Sequence, residues 1–203
     1  MELIVLAFQQ LNQENMRIVI ASLVGMVILF VYQALSWSVS PVHKNTFGYT
    51  KDQDAIVAFL SQHLHEDEIY YMPSPPPGSS MQEHQDMMKS MVGKPYALVN
   101  YHAAMSGNMT SEYIMGLLLN LACVLLIVLL MNRAAIAFTT FGSRLGLVMT
   151  FSVFLVLAAP MMTMNWWGYP WHYVAGDVTD MLIGWFLCGL WLSWYMGRAK
   201  KAA

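Results

Sequence analysis

Histidine and methionine side chains, which are typical ligands of soft metal ions, are concentrated in one segment of the chain. Residues 38–112 carry five of the six histidines and seven of the 18 methionines. Thioether and imidazole groups suit copper, and the run HLHEDE places two imidazoles beside three carboxylates. The pattern predicts an external site for copper or another metal, with the candidate ligands His63, His65, His84, His102 and Met105.

A second interpretation of the same side chains needs no metal. Neither His63-x-His65 nor His102-x-x-Met105 reproduces a specific metal-site pattern, and residues two apart do not share a helix face. Methionine also occurs throughout the apolar runs, where it only packs. Because ionisable side chains avoid lipid, histidines collect outside it whatever their role. Both interpretations stay open, the cofactor is unknown, and copper is the one candidate.

Aromatic side chains cluster in a second segment, residues 163–180 (TMNWWGYPWHYVAGDVTD), which is predicted to be an external loop between the third and fourth spans. Tryptophan and tyrosine rings prefer the headgroup level of a membrane, so one interpretation is an interfacial belt. Another is a docking surface for a protein, since both residue types dominate interface hot spots, and a quinone or lipid pocket is a third. The candidate docking residues, including three further along the chain, are Trp166, Trp167, Tyr169, Trp171, Trp185, Trp191 and Trp194.

Other chemistry finds little support in the sequence. No nucleophile–base pairing, phosphate loop or dinucleotide fingerprint is present, so we expect no enzyme. A net charge of −2 offers no basic field for nucleic acid. The apolar runs carry no charge near their middles, and Asp177 and Asp180 are expected at the water boundary, which weighs against a pump or channel.

The elements that carry these residues are predicted to be membrane helices. Hydrophobic residues make up 57% and charged residues 11% of the chain, a balance that a soluble fold cannot hide from water. At 1.5 Å of rise per residue, four apolar runs are long enough to cross about 30 Å of hydrocarbon. We expect an all-α membrane bundle of four transmembrane helices with spans at residues 17–37, 113–131, 145–162 and 181–197.

Positive charges predict the direction of the spans. Six of the ten Lys and Arg residues fall where alternate spans place one side of the membrane: Arg17, Arg133, Arg144, Arg198, Lys200 and Lys201. The positive-inside rule then puts both termini, the loop 132–144 and the tail 198–203 in the cytoplasm. The apolar core of the first run is too long for a signal peptide, so we expect it to be retained. Residues 1–16 are predicted to form an interfacial stub or to extend the first span.

Residues 38–112 are predicted to form a small external α+β insert between the first two spans. A helix over 52–64 aligns Ala55, Ile56, Phe59, Leu60 and Leu64 on one stripe, and Asp52 is its predicted N-cap. Strands are predicted at 68–72 and 96–101, with a proline-rich turn at 74–80 and a helix at 81–91 between them. Because two short strands and two helices form only a small hydrophobic core, we expect the insert to be stabilised by contacts with the spans or with a partner.

Close packing is predicted where small residues interrupt the spans. Ala21 and Gly25 form a small-xxx-small pair, and Gly184 and Gly189 punctuate the fourth run. Cys123 and Cys188 lie inside apolar runs and are expected to pack as small hydrophobic residues rather than to pair.

Four short stretches resemble an uncharacterised family of bacterial inner-membrane proteins with one span, an external insert and three further spans. The stretches are Asp54-Ala55-Ile56-Val57, Tyr71-Met72-Pro73, Asn165-Trp166-Trp167-Gly168 and Gly184-Trp185-Phe186. The resemblance covers roughly residues 17–197 and implies a bacterial inner membrane, but it implies no activity.

Two functions of different classes follow from these patterns. One is a non-catalytic accessory or scaffold subunit of a larger membrane complex, such as a respiratory or transport assembly. The other is an external metal-handling protein that uses the His/Met segment. The expected partners are the lipid bilayer and other membrane-protein subunits, and no nucleic acid.

Overall fold

Helices form most of the chain, and two short strands lie in an insert between the first and second long helices. The computed structural model describes residues 2–198, and it describes side chains from residue 12 onward. The elements, in chain order, are α1 Glu2–Ser38, a 3-10 turn Pro41–His43, α2 Gln53–His63, β1 Glu68–Met72, α3 Met81–Ser90, β2 Ala97–Tyr101, α4 Thr110–Arg133, α5 Phe141–Ala158, α6 Pro160–Trp167 and α7 Trp171–Arg198.

Four helical stretches of the described residues are long enough and apolar enough to cross a membrane: Asn12–Ser38, Thr110–Arg133, Phe141–Trp167 and Trp171–Arg198. Each contains one of the predicted apolar runs. A helix satisfies its backbone N–H and C=O groups internally, which is required because the hydrocarbon core offers them no hydrogen-bond partners. The prediction of a multi-pass membrane protein with four spans is therefore confirmed.

The boundaries of the helices differ from the prediction in two places. The first helix runs without a break from Glu2, so residues 2–16 extend the first span instead of forming a separate stub. Residues 163–180, predicted as a loop, are mostly helical, because α6 follows α5 directly and α7 begins at Trp171. Pro160 separates α5 from α6, since it cannot donate a backbone hydrogen bond, and Gly168 ends α6 in the left-handed conformation.

The four long helices pack as a row, in the order α4, α1, α7 and α5. Neighbours in the row run antiparallel, as the pairing of Arg17 with Met196 and of Ser36 with Asp180 shows for α1 and α7. α1 and α7 each have a neighbour on both sides, whereas α4 touches α7 only slightly and has no substantial contact with α5. The spans therefore form an open arrangement rather than a closed ring of four.

Small residues allow the central helices to approach closely, as predicted. A Cβ atom on Gly25 of α1 would lie 2.7 Å from Val124 Cγ1 of α4 and 3.2 Å from Cys188 Sγ of α7. On the other side of α7, a Cβ on Gly189 would meet Leu145 at 2.9 Å. The core of the row consists of Ala21, Leu29, Val124, Ile127, Val128, Met131, Val148, Trp185, Cys188, Leu192 and Met196. Cys188 is buried as predicted, whereas Cys123 is exposed on the outer side of α4.

Residues 49–108 form a compact unit of their own. β1 and β2 pair antiparallel with Glu68 opposite Tyr101, and α3 begins with a capping box in which Ser80 and Glu83 satisfy each other's backbone N–H groups. α2 has no buried residue, so its predicted apolar stripe is largely uncovered within the chain. The two helices and the two strands lie within a residue or two of their predicted positions.

Candidate functional site

The two ends of the row carry different polar groups. The insert end is where α1 stops, α4 starts and α7 starts, so that the chain leaves there for residues 49–108 and returns. The arginine end is the opposite side of the row, where Arg17 of α1, Arg133 of α4, Arg144 of α5 and Arg198 of α7 lie. The middle of the row is apolar, so the polar side chains that could bind a ligand lie toward the two ends.

A network of hydrogen bonds at the insert end is centred on Asp180 of α7. One carboxylate oxygen accepts from Ser36 Oγ at 2.5 Å and from Tyr32 OH at 3.3 Å, and both donors belong to α1. The other oxygen lies 3.0 Å from His43 Nε2. Three partners from two elements therefore hold a carboxylate that is only 13% exposed, and the cost of removing its charge from water is offset by these bonds.

His43 is held on every side by residues of the same unit. Its Nδ1 atom lies 3.3 Å from Thr46 Oγ1, and its ring stacks on Trp37 with 3.8 Å between centroids and 12° between planes. Gly176 of α7 leaves the space for the ring, because a Cβ atom there would lie 2.6 Å from His43 Cε1. The 3-10 turn that carries His43 is thereby fixed onto α1 and α7.

Hydroxyl, imidazole and carboxylate groups stand in the order Thr46, His43, Asp180, which is the order of a nucleophile, its base and the group that orients the base. Thr46 is only 5% exposed and the His43 side chain only 4%, so a substrate cannot reach the hydroxyl in this arrangement. The geometry therefore supports an anchor for the segment 40–46 and not a nucleophilic site.

A cleft of about 300 Å³ lies beside this anchor, between α1 and α7. Gln33, Trp37, Asp177 and Asp180 supply its polar lining, and the rest is apolar, from Leu29, Met181, Gly184 and Trp185. Its volume is at the low end of what small-molecule sites have. Asp180 lies level with Ser36, two residues before the end of α1 and nine residues after the start of α7, and its position at a water boundary stays a prediction.

A larger groove of about 490 Å³ lies on the other side of α1, against α4. Its lining consists of Phe30, Gln33, Ala34, Trp37, Ser38, Met109, Glu112, Tyr113 and Gly116. Beside it, Gln33 and Asn120 form an amide pair in which Asn120 Nδ2 donates to Gln33 Oε1 at 2.9 Å and Gln33 Nε2 donates back at 3.5 Å. The pair is exposed on the side of the row, within the two candidate spans.

The residues predicted for docking divide into an exposed and a packed group. Trp166, Trp167, Trp171 and Trp194 are exposed. Tyr169 packs edge-on against Tyr173 with 4.9 Å between ring centroids.

Two of the predicted tryptophans are instead used within the chain. Trp185 lies in the core, so the prediction that it meets a partner is corrected for that residue. Trp191 packs against the core, stacks on Tyr195 and donates its indole N–H to the carbonyl of Ala21 at 3.2 Å. Trp185 lies three residues before Cys188 and Trp191 three residues after it, so both flank Cys188 on the side of α7 that packs against α1.

The residues predicted as metal ligands lie on separate elements of the unit 49–108. His63 ends α2 with its ring against Phe59, His84 lies on α3, and His102 follows β2. His102 Nδ1 lies 3.1 Å from Asp67, and Met105 is almost fully exposed. Across residues 12–198 no three His, Cys, Asp or Glu side chains are grouped to hold a metal ion. His63, His65, His84 and His102 therefore do not form one coordination site, and copper binding stays a prediction.

No family model matches the chain, and neither a curated protein nor a solved structure is significantly similar to it. The resemblance to bacterial inner-membrane proteins therefore stays a prediction. Sequence patterns missed both the anchor at His43–Asp180 and the pair Gln33–Asn120, whose partners are 137 and 87 positions apart. The one available signal was Asn120, a lone polar residue within an apolar run.

Proposed function

We propose that the protein is a non-catalytic accessory or scaffold subunit of a larger complex in a bacterial inner membrane. It binds a transmembrane helix of another subunit in the groove between α1 and α4. The observation that carries the proposal is the exposed amide pair Gln33–Asn120 at the side of the row.

Each amide of the pair still has hydrogen-bonding capacity toward the outside of the row. A primary amide offers two N–H donors and an acceptor oxygen, and the mutual bonds use one donor and the oxygen of each. In hydrocarbon the remaining donors have no solvent to bond with, and an unpaired amide costs several kcal/mol by the scale of about 4–8 for transfer to an apolar liquid. Asn and Gln side chains commonly satisfy one another across neighbouring membrane helices. A partner helix with a polar side chain at this depth supplies the missing bonds.

The shape of the groove favours a helix as its occupant. Ala34 and Gly116 are small, and a Cβ atom on Gly116 would meet nothing within 4 Å. Small residues let helix backbones approach closely in lipid, where packing rather than water exclusion drives association. α4 also has α1 as its one substantial neighbour, so its outer side is open to a further helix.

Purification in a mild detergent with mass measurement tests the proposal. We expect the wild-type chain to be recovered in a complex of fixed stoichiometry, and we expect Gln33→Leu/Asn120→Leu to be recovered alone. The double variant leaves the core residues and the His43–Asp180 anchor intact, so it is expected to fold. Leu119→Gln, an exposed substitution next to Asn120, is the matched control and is expected to keep the complex. A wild-type chain that is reproducibly alone, or a complex unaffected by the double variant, contradicts the proposal.

We further propose that both termini face the cytoplasm. The four arginines of the described residues gather at one end of the row, which under the positive-inside rule is the cytoplasmic end. An alkaline phosphatase fused after Ala203 is then expected to be inactive, and one inserted between residues 78 and 79 is expected to be active. The reverse pair of activities would contradict this orientation.

A further inference from the structure

The last two turns of α7 are surrounded by three arginines from three helices. Arg17 of α1 donates from its guanidinium to the carbonyl of Met196. Arg144 of α5 donates from Nε to the carbonyl of Ser193 at 2.8 Å. Arg198 belongs to α7 itself, and its guanidinium carbon lies 3.8 Å from the centroid of the Trp194 ring. Positive groups are favourable here, since the C-terminal carbonyls of a helix lack partners and carry its negative dipole end.

Within residues 12–198, none of these arginines forms an ion pair with a carboxylate. The three ion pairs in that range involve His43, Lys89 and His102. Glu14 lies one turn before Arg17 on α1 without pairing with it. Glu14 acts on Arg17 through its charge at longer range, but no direct ion pair within residues 12–198 neutralises the guanidinium groups of the three arginines.

Arg144 and Arg17 differ in how many of their donors are used. Arg144 has three backbone carbonyls as acceptors, because its second nitrogen also donates to Phe138 and Thr139 at 3.0 and 3.1 Å. Arg17 has one acceptor, and its Nε atom is shielded and without a partner. Among residues 12–198, the guanidinium of Arg198 has no hydrogen-bond acceptor and packs on the Trp194 ring. Arg144 is thus a structural clamp, whereas Arg17 and Arg198 keep free N–H groups.

A cleft of about 330 Å³ brings the two incompletely bonded arginines together. It is lined by Gln13, Met16, Arg17, Ile20, Tyr195 and Arg198. Guanidinium, amide and phenol groups form its polar part, and Met16 and Ile20, both exposed on α1, continue it as an apolar surface along the span. A positively charged pocket that continues into an apolar surface is complementary to a phospholipid, whose phosphate would meet the charge and whose acyl chain would meet the apolar surface.

We propose that this cleft binds the phosphate headgroup of an anionic phospholipid, held by Arg17 and Arg198, with an acyl chain along Met16 and Ile20. Arginine pairs with phosphate through parallel N–H donors, which is a stronger contact than a lysine makes. Basic pockets between membrane helices are a known form of headgroup site.

Native mass spectrometry of the delipidated full chain tests the proposal. Phosphatidylglycerol, phosphatidylcholine and inorganic phosphate are each titrated into the wild type, Arg198→Gln, Arg17→Lys and the matched control Arg133→Gln, whose arginine is exposed at the same end of α4. We expect one phosphatidylglycerol to bind in preference to phosphatidylcholine, and Arg198→Gln to weaken it by about tenfold or more, since bonds to charged groups contribute about 1.5–3 kcal/mol. Arg133→Gln is expected to bind as the wild type does.

Several results would overturn the proposal. Equal binding of the two lipids, or binding that Arg198→Gln leaves unchanged, removes the arginines from the recognition. Inorganic phosphate that displaces the lipid at equal concentration assigns the cleft to a small free anion instead. Arg198→Gln is the decisive variant, because it leaves the hydrogen bond from Arg17 to Met196 in place. The test therefore does not require any Arg17 variant to fold.

Discussion

The imidazole of His43 occupies space above Gly176 that almost any other residue on α7 would fill. It lies between Asp180 and Thr46 with the Trp37 ring against its face. A residue from a surface turn is thereby inserted between two membrane helices, which explains how the segment 40–46 is fixed although it contains one short turn of helix.

Gly176→Ala is predicted to destabilise the protein by displacing His43. The new Cβ atom lies 2.6 Å from the ring, and overpacking of this kind costs about 1–3 kcal/mol, more than the roughly 1 kcal/mol that alanine gains over glycine within a helix. Thermal unfolding in detergent measures the effect. In a His43→Ala background the obstacle is gone, so the same substitution is expected to be neutral or stabilising there. An equal penalty in both backgrounds would show that His43 does not occupy this space.

Asp67 of the unit 49–108 is predicted to titrate below its ordinary range. The backbone N–H of Ala103, which donates to it at 2.9 Å, is the main cause of its lowered pKa, and the hydrogen bond from His102 lowers the pKa further. A depressed pKa means that the stabilisation is fully present above the ordinary pKa of the group and is lost as pH falls through the lowered value.

NMR titration of the Asp67 carboxyl in the full-length protein checks this prediction. His102→Ala is expected to raise the pKa of Asp67 only in part, because the Ala103 N–H remains. A pKa at or above the ordinary value in the wild type would contradict the geometry of this turn.

At the scale of helices, α1 is the element on which the rest of the row depends. It lies between α4 and α7, and both neighbours approach it at Gly25. Its hydrogen bonds to α7 fall into two groups, one at Arg17 and Ala21 and the other at Tyr32 and Ser36. The stretch of α1 between the two groups packs through apolar side chains.

Gly25→Ala is predicted to separate α4 from α1. The added methyl group lies 2.7 Å from Val124, a buried β-branched side chain that cannot rotate away easily, so we expect a loss of about 1–3 kcal/mol. Thermal unfolding of Gly25→Ala, Val124→Ala and the double variant measures the coupling. The double variant is expected to lose less than the sum of the two single changes. Strict additivity would mean that the two residues are not in contact.

Helix existence could be predicted from local sequence, but helix ends and helix order could not. Runs of apolar residues of sufficient length define the four spans without reference to any other part of the chain. The extension of α7 back to Trp171 could not be predicted, because residues 171–180 have the polar and aromatic composition of a loop. The hydrogen bonds of Asp180 to Tyr32 and Ser36, which hold this part of the helix against α1, come from a distant part of the chain. The order of the helices depends on which face of each helix packs against a neighbour. A helix that is apolar on all faces carries no amphipathic pattern that would indicate the packed face.

The proposed sites show the same division between local and distant signals. The sequence predicts that the arginines lie on one side of the spans, and in the structure they lie at one end of the row. The inequality between Arg17 and Arg144 is not visible there, because it depends on three carbonyls that only the fold brings to Arg144. The histidines illustrate the reverse, since their clustering in the sequence is not matched by a group in space.

At the scale of the whole molecule, the four long helices form a row whose edge at α4 is open. A closed bundle would bury Gln33 and Asn120 among its own helices, but here the pair lies at the side, beside the groove that Ala34 and Gly116 make shallow enough for another helix. A subunit that adds one helix to this edge has both the packing surface and the hydrogen-bond partners it needs.

Site-specific photo-crosslinking in intact membranes shows whether a helix of another subunit occupies the groove between α1 and α4. A photoreactive amino acid at Gly116 lies in the groove, and one at Leu126 lies on the exposed outer side of α4 as the matched control. We predict one discrete protein crosslink of constant mass from residue 116 and lipid adducts from residue 126, with the crosslink lost in Gln33→Leu/Asn120→Leu. Lipid adducts alone from residue 116, or the same crosslink from both positions, would contradict the account.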